Sequence, residues 1–509
     1  MTAESISDGN PFDDPLSTEP QPEVAPEATL AVGRNASLTL ATDSLIILDE
    51  GFVGRDTSNC CGLLPSRSKT TLAVPFFNIL WAELSDWEIA IRYARQVSKD
   101  VVRPACINYT IDKNDRVHAQ AWIEQLLNRA YGASQRQKRI KVLINPFGGK
   151  GSAAKWYTQD IEPIFAAARC EVDVERTQYM GHARDLVAES LDTDVWDVIA
   201  CCSGDGVPHE VFNGLARKKD AARALAQVAV VQLPCGTGNA MSLNLCGSNS
   251  PSIAALGVVK GIRTPLDLIS ITQGDTRSLS FLSQSVGIIA ESDLGTENLR
   301  WMGSARFTYG FLIRLLGKTV YPCEIAVQLE DDQKSSIREA FRAEASKPLP
   351  STLQRDLPPP DAGLPALRFG TVNDPLPSHW QLVPHDKIGN FYTGNMAYMS
   401  PDNPVFPGAL PNDGCLDMVC IDGDIPRSTA LKMLLSVGKG AFFDMPEVTY
   451  RKVSAYRIIP KQRVKRKEDG YISIDGERVP FAPFQVEVHR GLGTVLSRTG
   501  HMYEAHGLR

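Results

Sequence analysis

The chain has 509 residues, 43% of them hydrophobic and 22% charged, with a net charge of −6. That composition describes a globular protein of roughly three domains and gives no global pull toward nucleic acid. No apolar run approaches the roughly 18–20 residues that span a bilayer, and the acidic start has no signal-peptide pattern. The eleven cysteines form no CxxC pair and no zinc spacing, so they read as reduced thiols of an intracellular compartment.

Residues 1–34 are Pro-rich and acidic, with no Lys or Arg before Arg34, and read as a disordered tail. In 35–132, "ASLTLATDSLIILDE" alternates like strands, whereas "NILWAELSDWEIAIRYA" mixes strand and helix signals; the expectation is a small β-rich accessory domain. From 137 to 272 the pattern is βα repeated. The strands are "RIKVLIN", "CEVDVERT", "WDVIACCS" and "VAVVQLP", with helices near 152–168, 181–191, 206–218 and 237–246. Apolar, β-branched strands between helices predict a mainly parallel, Rossmann-like sheet with its ligand at the carboxyl ends of the strands. From 273 to 500 strands dominate, interrupted by helices near 302–317 and 426–438, and predict an antiparallel β-sandwich-like domain. Within it, 331–380 is charged and Pro-rich and reads as a flexible insertion.

Three glycine turns close three of the βα strands. Asn145-Pro146-Phe147-Gly148-Gly149-Lys150-Gly151 opens a helix whose N-terminus suits phosphate; it is not a Walker A loop, because Gly151 follows the Gly-Lys pair. Ser203-Gly204-Asp205-Gly206 leaves Asp205 where it can accept the proton of an attacking hydroxyl. Cys235-Gly236-Thr237-Gly238-Asn239 fails the dinucleotide fingerprint, since Met241 holds its final position. Each turn alone can be a tight βα connection or a cap. Three in one sheet argue for a nucleotide cleft. His182 and His209 lie near it and read as structural.

The segments "NPFGGKG", "SGDGVPHEVFNGL" and "LPCGTGNAMSLN", followed in order by "FLSQSVGIIAESDLGTENLRWMGSARFTYG", "FPGALPNDGCLDMV" and "SIDGE", resemble the diacylglycerol-kinase-type catalytic domain. Within that class they resemble the sphingosine kinases, most of all the fungal and plant long-chain base kinases. The resemblance implies a lipid kinase that moves the γ-phosphate of ATP to the primary hydroxyl of a sphingoid base, with Mg²⁺. It implies Asp205 as general base. It implies nucleotide contacts at Asn145, Pro146, Gly148, Gly149, Lys150, Gly151, Thr177, Ser203, Gly204, Gly206, Gly236, Thr237, Gly238, Arg300, Arg306 and Glu477. Asp293 would recognise the amino-alcohol head, and Ser283 would line its site; the metal ligands stay open. Phe147 departs from the arginine that the family often has there.

An ammonium-bearing substrate justifies an acid such as Asp293, which diacylglycerol would leave as a wasted buried charge. Two readings compete: a diacylglycerol or ceramide kinase on the same fold, and a catalytically inactive lipid-binding protein. An amphipathic substrate implies a cytoplasmic enzyme in peripheral contact with intracellular membranes (Golgi, ER, vacuole or plasma membrane). Cys60-Cys61 as an acylation site and the five basic residues in Lys461–Lys467 as a lipid contact are the candidate devices. A homodimer is compatible with the sequence.

Overall fold

The computed structural model describes residues 28–50, 71–149, 151–295, 320–348, 356–383, 387–401, 403–438, 440–461, 470–504 and 507–508. Lys150, Arg300, Arg306, Cys60, Cys61 and most of the 461–467 stretch lie outside them, as do helix 302–317 and the side chain of Asp293.

The first unit pairs strands β1 (Thr29–Val32), β2 (Ala36–Leu40), β3 (Ser44–Asp49) and β4 (Thr71–Pro75) in one antiparallel sheet. A second antiparallel sheet holds β5 (Ile79–Ser85), β6 (Glu88–Ser98) and β7 (Val101–Thr110). Alternation explains the first sheet: Leu38, Leu40, Leu45 and Ile47 point inward, their neighbours outward. The ambiguous "NILWAELSDWEIAIRYA" is a strand hairpin, turned at Asp86 with φ +49°. Helix α1 (Arg116–Tyr131) follows and buries Ala119, Trp122, Ile123, Leu126 and Leu127 along one face.

The central sheet is parallel, in the order β11-β10-β8-β9. Its strands are β8 (Arg139–Ile144), β9 (Glu171–Arg176), β10 (Val198–Ser203) and β11 (Ala229–Pro234). The helical run between β8 and β9 is α2 (Ala153–Trp156), a π-helical turn and α3 (Glu162–Ala167); α4 (His182–Glu189), α5 (Gly206–Ala216), α6 (Ala221–Gln227), α7 (Ala240–Cys246) and α8 (Pro251–Lys260) complete the set. The strand period of two divides the sheet between two cores. Ile140, Val142, Ala200, Cys202 and Val231 join the apolar cluster of the N-terminal unit, while Leu143, Ile199, Cys201 and Val230 face the cluster shared with the C-terminal domain. The N-terminal unit is pinned by Val102 N–H to Ser252 Oγ (3.1 Å), by the Arg169–Glu83 ion pair (2.8 Å) and by buried Lys260, which reaches the carbonyl of Ala130 at the end of α1 (3.1 Å).

The third unit is one large curled antiparallel sheet running β13-β12-β22-β19-β18-β17-β14-β20-β21, with β15 beside β19 and β16 beside β15. Its strands are β12 (Ile262–Gln273), β13 (Thr276–Ser280), β14 (Ser283–Gly287), β15 (Cys323–Asp331), β16 (Gln381–Leu382), β17 (Ile388–Gly394), β18 (Leu416–Asp422), β19 (Thr449–Pro460), β20 (Ile472–Ile474), β21 (Glu477–Val479) and β22 (Phe484–Ser497). Helix α9 (Ile288–Leu294) follows β14, and α11 (Arg427–Val437) matches the helix expected near 426–438.

Within 331–380, expected as a flexible insertion, the described residues 331–348 and 356–380 take defined places in the fold. Helix α10 (Lys334–Ala345) buries Ile337 and Phe341. Residues 356–380 lie on the sheet, held by strand side chains. Glu487 accepts the N–H groups of Arg368 (3.0 Å) and Phe369 (3.1 Å), and Gln485 donates to the carbonyl of Gly370 (2.9 Å). Arg457 donates to the carbonyls of Thr371 (3.1 Å) and Asp374 (2.9 Å). Among the described residues, Cys106, Cys170, Cys201, Cys202, Cys235, Cys246, Cys415 and Cys420 are free thiols.

Where β12 meets β22, Asp267 accepts the N–H groups of Gly491 and Gly414, both at 2.6 Å. Burial, with Asp413 nearby, pushes its carboxyl up to about 7. The folded state therefore holds a proton that the unfolded chain, with an ordinary Asp pKa near 3.8, gives up earlier. This contribution is fully present below that value and is lost as pH rises through about 7. Denaturant titrations should show stability falling between about pH 4 and pH 7 and levelling above that, and Asp267→Asn should flatten the fall. An unchanged slope would assign it to other groups.

Candidate active site

The parallel register sets the site. Val142 lies opposite Ala200 and Ala200 opposite Val231, so β8, β10 and β11 end side by side. Their three glycine turns then touch backbone to backbone. Gly149 has φ +57°, and a Cβ there would lie 2.6 Å from the carbonyl oxygen of Cys235. Glycine is required on both counts. The turns are also stitched together: Asn145 N–H donates to the carbonyl of Cys202 (3.1 Å), and Cys235 N–H to that of Ser203 (3.0 Å).

Asp205 sits between them. Its two oxygens accept the N–H groups of Ala240 (3.1 Å) and Met241 (3.0 Å), the first turn of α7. Burial pushes its carboxyl above the ordinary value; the α7 N–H groups oppose this, and the charge of Asp475 adds to it. The Gln232 side chain also bonds the carboxylate, and of its roughly four lone-pair sites at least one stays open. Beside Oδ2 there is room, because a Cβ on Gly238 would lie only 3.3 Å from it. Glu477, exposed at the start of β21, brings Oε1 to 3.3 Å from where a Cβ on Gly206 would be. Two missing side chains thus leave access to two carboxylates.

The remaining expected residues fall into place to different degrees. The Asn145 side chain accepts the N–H of Phe147 (2.9 Å), which shapes the first turn. Thr177 is buried at the end of β9, its N–H bonded to the carbonyl of Ile144 (2.9 Å). Ser203 Oγ donates to the carbonyl of Gly204 (2.7 Å), and Thr237 is exposed at the tip of the third turn. Ser283 pairs with the Glu477 turn through its backbone: its N–H donates to Asp475 (2.9 Å) and its carbonyl accepts from the Asp475 N–H (2.8 Å). Asp293 belongs to α9, directly after β14.

Sequence reasoning passed over several residues of the site. Glu210 accepts the N–H groups of Gly181 (3.0 Å) and Ala183 (3.1 Å) and so fixes the start of α4. Asn239, at φ +53°, closes the third turn by accepting the N–H of Gly236 (2.9 Å). Fully buried Asp475 and partly buried His209 are hydrogen-bonded at 2.8 Å. The spacing of His209 and Asn213 in "HEVFN", one helical turn apart on one face, was the available signal for α5.

The diacylglycerol kinase catalytic domain family matches residues 139–271, so the glycine-lined cleft belongs to that class of kinase domain. A domain of unknown function matches 28–132, and the YegS C-terminal NAD kinase beta sandwich-like domain matches 391–497. The chain is 35% identical over 505 residues to sphingoid long chain base kinase 5 of Saccharomyces cerevisiae, covering 88% of this chain and 70% of that one. It is 33% identical over 439 residues to sphingoid long chain base kinase 4 of Schizosaccharomyces pombe, covering 86% and 90%. Human sphingosine kinase 1 is 29% identical over 370 residues, covering 70% and 90%. The protein belongs to the sphingoid long chain base kinase family.

Proposed function

We propose that the protein phosphorylates sphingoid long-chain bases at their primary hydroxyl, with ATP as donor. The observation that carries this reading is the convergence of three glycine turns on Asp205, in a chain of this family. The turns offer backbone N–H groups to the phosphates. The hydroxyl oxygen attacks the γ-phosphorus, the bond to the β-phosphate oxygen breaks, and ADP leaves. Asp205 takes the hydroxyl proton on a free lone pair as the new bond forms. Arg300 and Arg306 are assigned to phosphate and Asp293 to the ammonium of the head, from their places in the motifs.

Among the described residues no group of three or more ligating side chains forms a metal cage. Mg²⁺ fits nonetheless, since it usually binds through one or two carboxylates plus substrate phosphates, and exposed Glu477 is the carboxylate placed to hold it. When bound, it would neutralise charge on the phosphate oxygens. No helix among the described residues is long and apolar enough to cross a membrane, and we assign contact with the bilayer to peripheral association.

The test is phosphate transfer from ATP·Mg²⁺ to sphingosine in mixed micelles, with diacylglycerol as competitor and the product identified by mass spectrometry. Sphingosine 1-phosphate formed with diacylglycerol inert is the expected result. Transfer only to diacylglycerol, or to neither, would overturn the reading.

A further inference from the structure

Asp475 and Gly476 join β20 to β21, with Ile474 paired to Glu477. Both have positive φ, +51° and +84°, the two-residue hairpin turn that Asp-Gly favours. Such a turn needs nothing from the Asp side chain. Here that side chain is fully buried and collects five donors. Oδ1 accepts Ser280 Oγ (2.6 Å), Leu282 N–H (3.0 Å) and Ser283 N–H (2.9 Å). Oδ2 accepts Phe281 N–H (3.0 Å) and the Nδ1 of His209 (2.8 Å).

The last of these donors is different in kind. Four belong to the antiparallel domain, but His209 belongs to α5, the helix that begins at Gly206. It stands one turn from Asp205, whose carbonyl accepts the His209 N–H (3.3 Å). Asn213, one turn further, exchanges two bonds with Leu279, donating to its carbonyl (2.8 Å) and accepting its N–H (2.9 Å). Helix α5 is therefore bolted to the antiparallel domain at two levels, by His209 to Asp475 itself and by Asn213 to Leu279, next to the segment 280–283 that cradles Asp475. Behind that cradle the polar chain continues inward. Gln284 Nε2 donates to Ser280 (2.7 Å), and its Oε1 accepts from Thr393 (2.8 Å) and Tyr456 (3.1 Å). The turn is thus held by the interior of the sheet and not by a surface loop.

We propose that His209 and Asp475 are a positioning pair, whose bond sets the Glu477 turn against the start of α5 and so fixes the spacing of Asp205 and Glu477 across the cleft. Neither residue touches substrate. Misplacing reacting groups by about 1 Å can cost on the order of 100-fold in rate, whereas loss of one buried hydrogen bond alone lowers only stability.

The inference rests on the kinase reading. Failure of that reading shows as an inert wild type, whereas failure of this one shows in ratios between active variants. The experiment measures kcat, KM for ATP and melting temperature of the full chain for wild type, His209→Ala, His209→Asn and Tyr503→Phe. Asn offers an amide N–H near the place of Nδ1. Tyr503→Phe removes a buried bond to the carbonyl of Asn395 (2.8 Å) and serves as a stability control. Expected are a kcat lowered by about 10- to 100-fold in His209→Ala, KM for ATP within about 3-fold, recovery of most of kcat in His209→Asn, and an unchanged kcat in Tyr503→Phe. A kcat in His209→Ala equal to wild type, with only the melting temperature lowered, would overturn the proposal, as would equal losses in Ala and Asn. If the alanine variant does not fold, His209→Leu against His209→Asn gives the same comparison.

Discussion

Replacing Asp205 by Asn should lower turnover of a sphingoid base by about 1,000-fold or more, within the 10²–10⁴ range of a lost general base. The same change should cost stability. Both Asp205 oxygens accept N–H groups of α7, and the amide of Asn turns one acceptor into a donor facing another donor. One such mismatch costs roughly 1–3 kcal/mol. The two effects separate in measurement: melting temperature reports the cap, and kcat of the folded enzyme reports the base. Transfer within a few-fold of wild type would leave Asp205 as a helix cap only. Its raised pKa also predicts a direction. The acid limb of kcat/KM should lie above the ordinary Asp value, because the protonated carboxyl cannot accept the hydroxyl proton.

Gly236→Ala is the second large effect. The added Cβ would stand 2.4 Å from Gly204 Cα, 2.9 Å from Gly204 N and 3.1 Å from Asn239 Oδ1. The first two are backbone atoms, which no rotamer can move aside. The second and third glycine turns must separate, and the phosphate cradle opens with them. KM for ATP should rise by about 10- to 100-fold, the equivalent of roughly 1.4–2.8 kcal/mol of lost nucleotide contact. Gly363→Ala is the control, since the nearest neighbour of its Cβ would be the Lys219 carbonyl oxygen at an ordinary 3.5 Å. Titration with a fluorescent ATP analogue checks both. Wild-type affinity in Gly236→Ala would remove these turns from the nucleotide site.

The glycine turns were legible because a parallel sheet brings strand ends together and because glycine stands where two backbones touch, as Gly149 does against Cys235. The βα alternation was legible for the same local reason: "VIACCS" and "AVVQLP" are buried on both faces. The His209–Asp475 pair was not. An Asp-Gly turn looks alike in any hairpin, and its partner lies 266 positions away. Nor was the placement of the described residues 356–380 legible. Its Pro-rich, polar composition reads as an excursion, and what holds it is Glu487, Gln485 and Arg457, supplied by strands later in the chain. "NILWAELSDWEIAIRYA" was ambiguous because its apolar spacing serves either period, and the β7 pairing decided for strand.

The pairing of β12 with β22 has a consequence for how the protein is made. Gly491 lies 224 positions after Asp267, the residue it contacts. Strand β12 emerges from the ribosome directly behind the parallel sheet and then waits for its partner, for on the order of 10–45 seconds at roughly 5–20 residues per second. Through that interval its apolar face and one edge have no native cover, a condition that invites pairing with other chains. The Asp475 turn is synthesised just ahead of β22, so the cleft and the sheet mature together. The unfinished chain is then both inactive and in need of a chaperone, and substitutions that weaken β22 should show first as lost yield and only afterwards as lost activity.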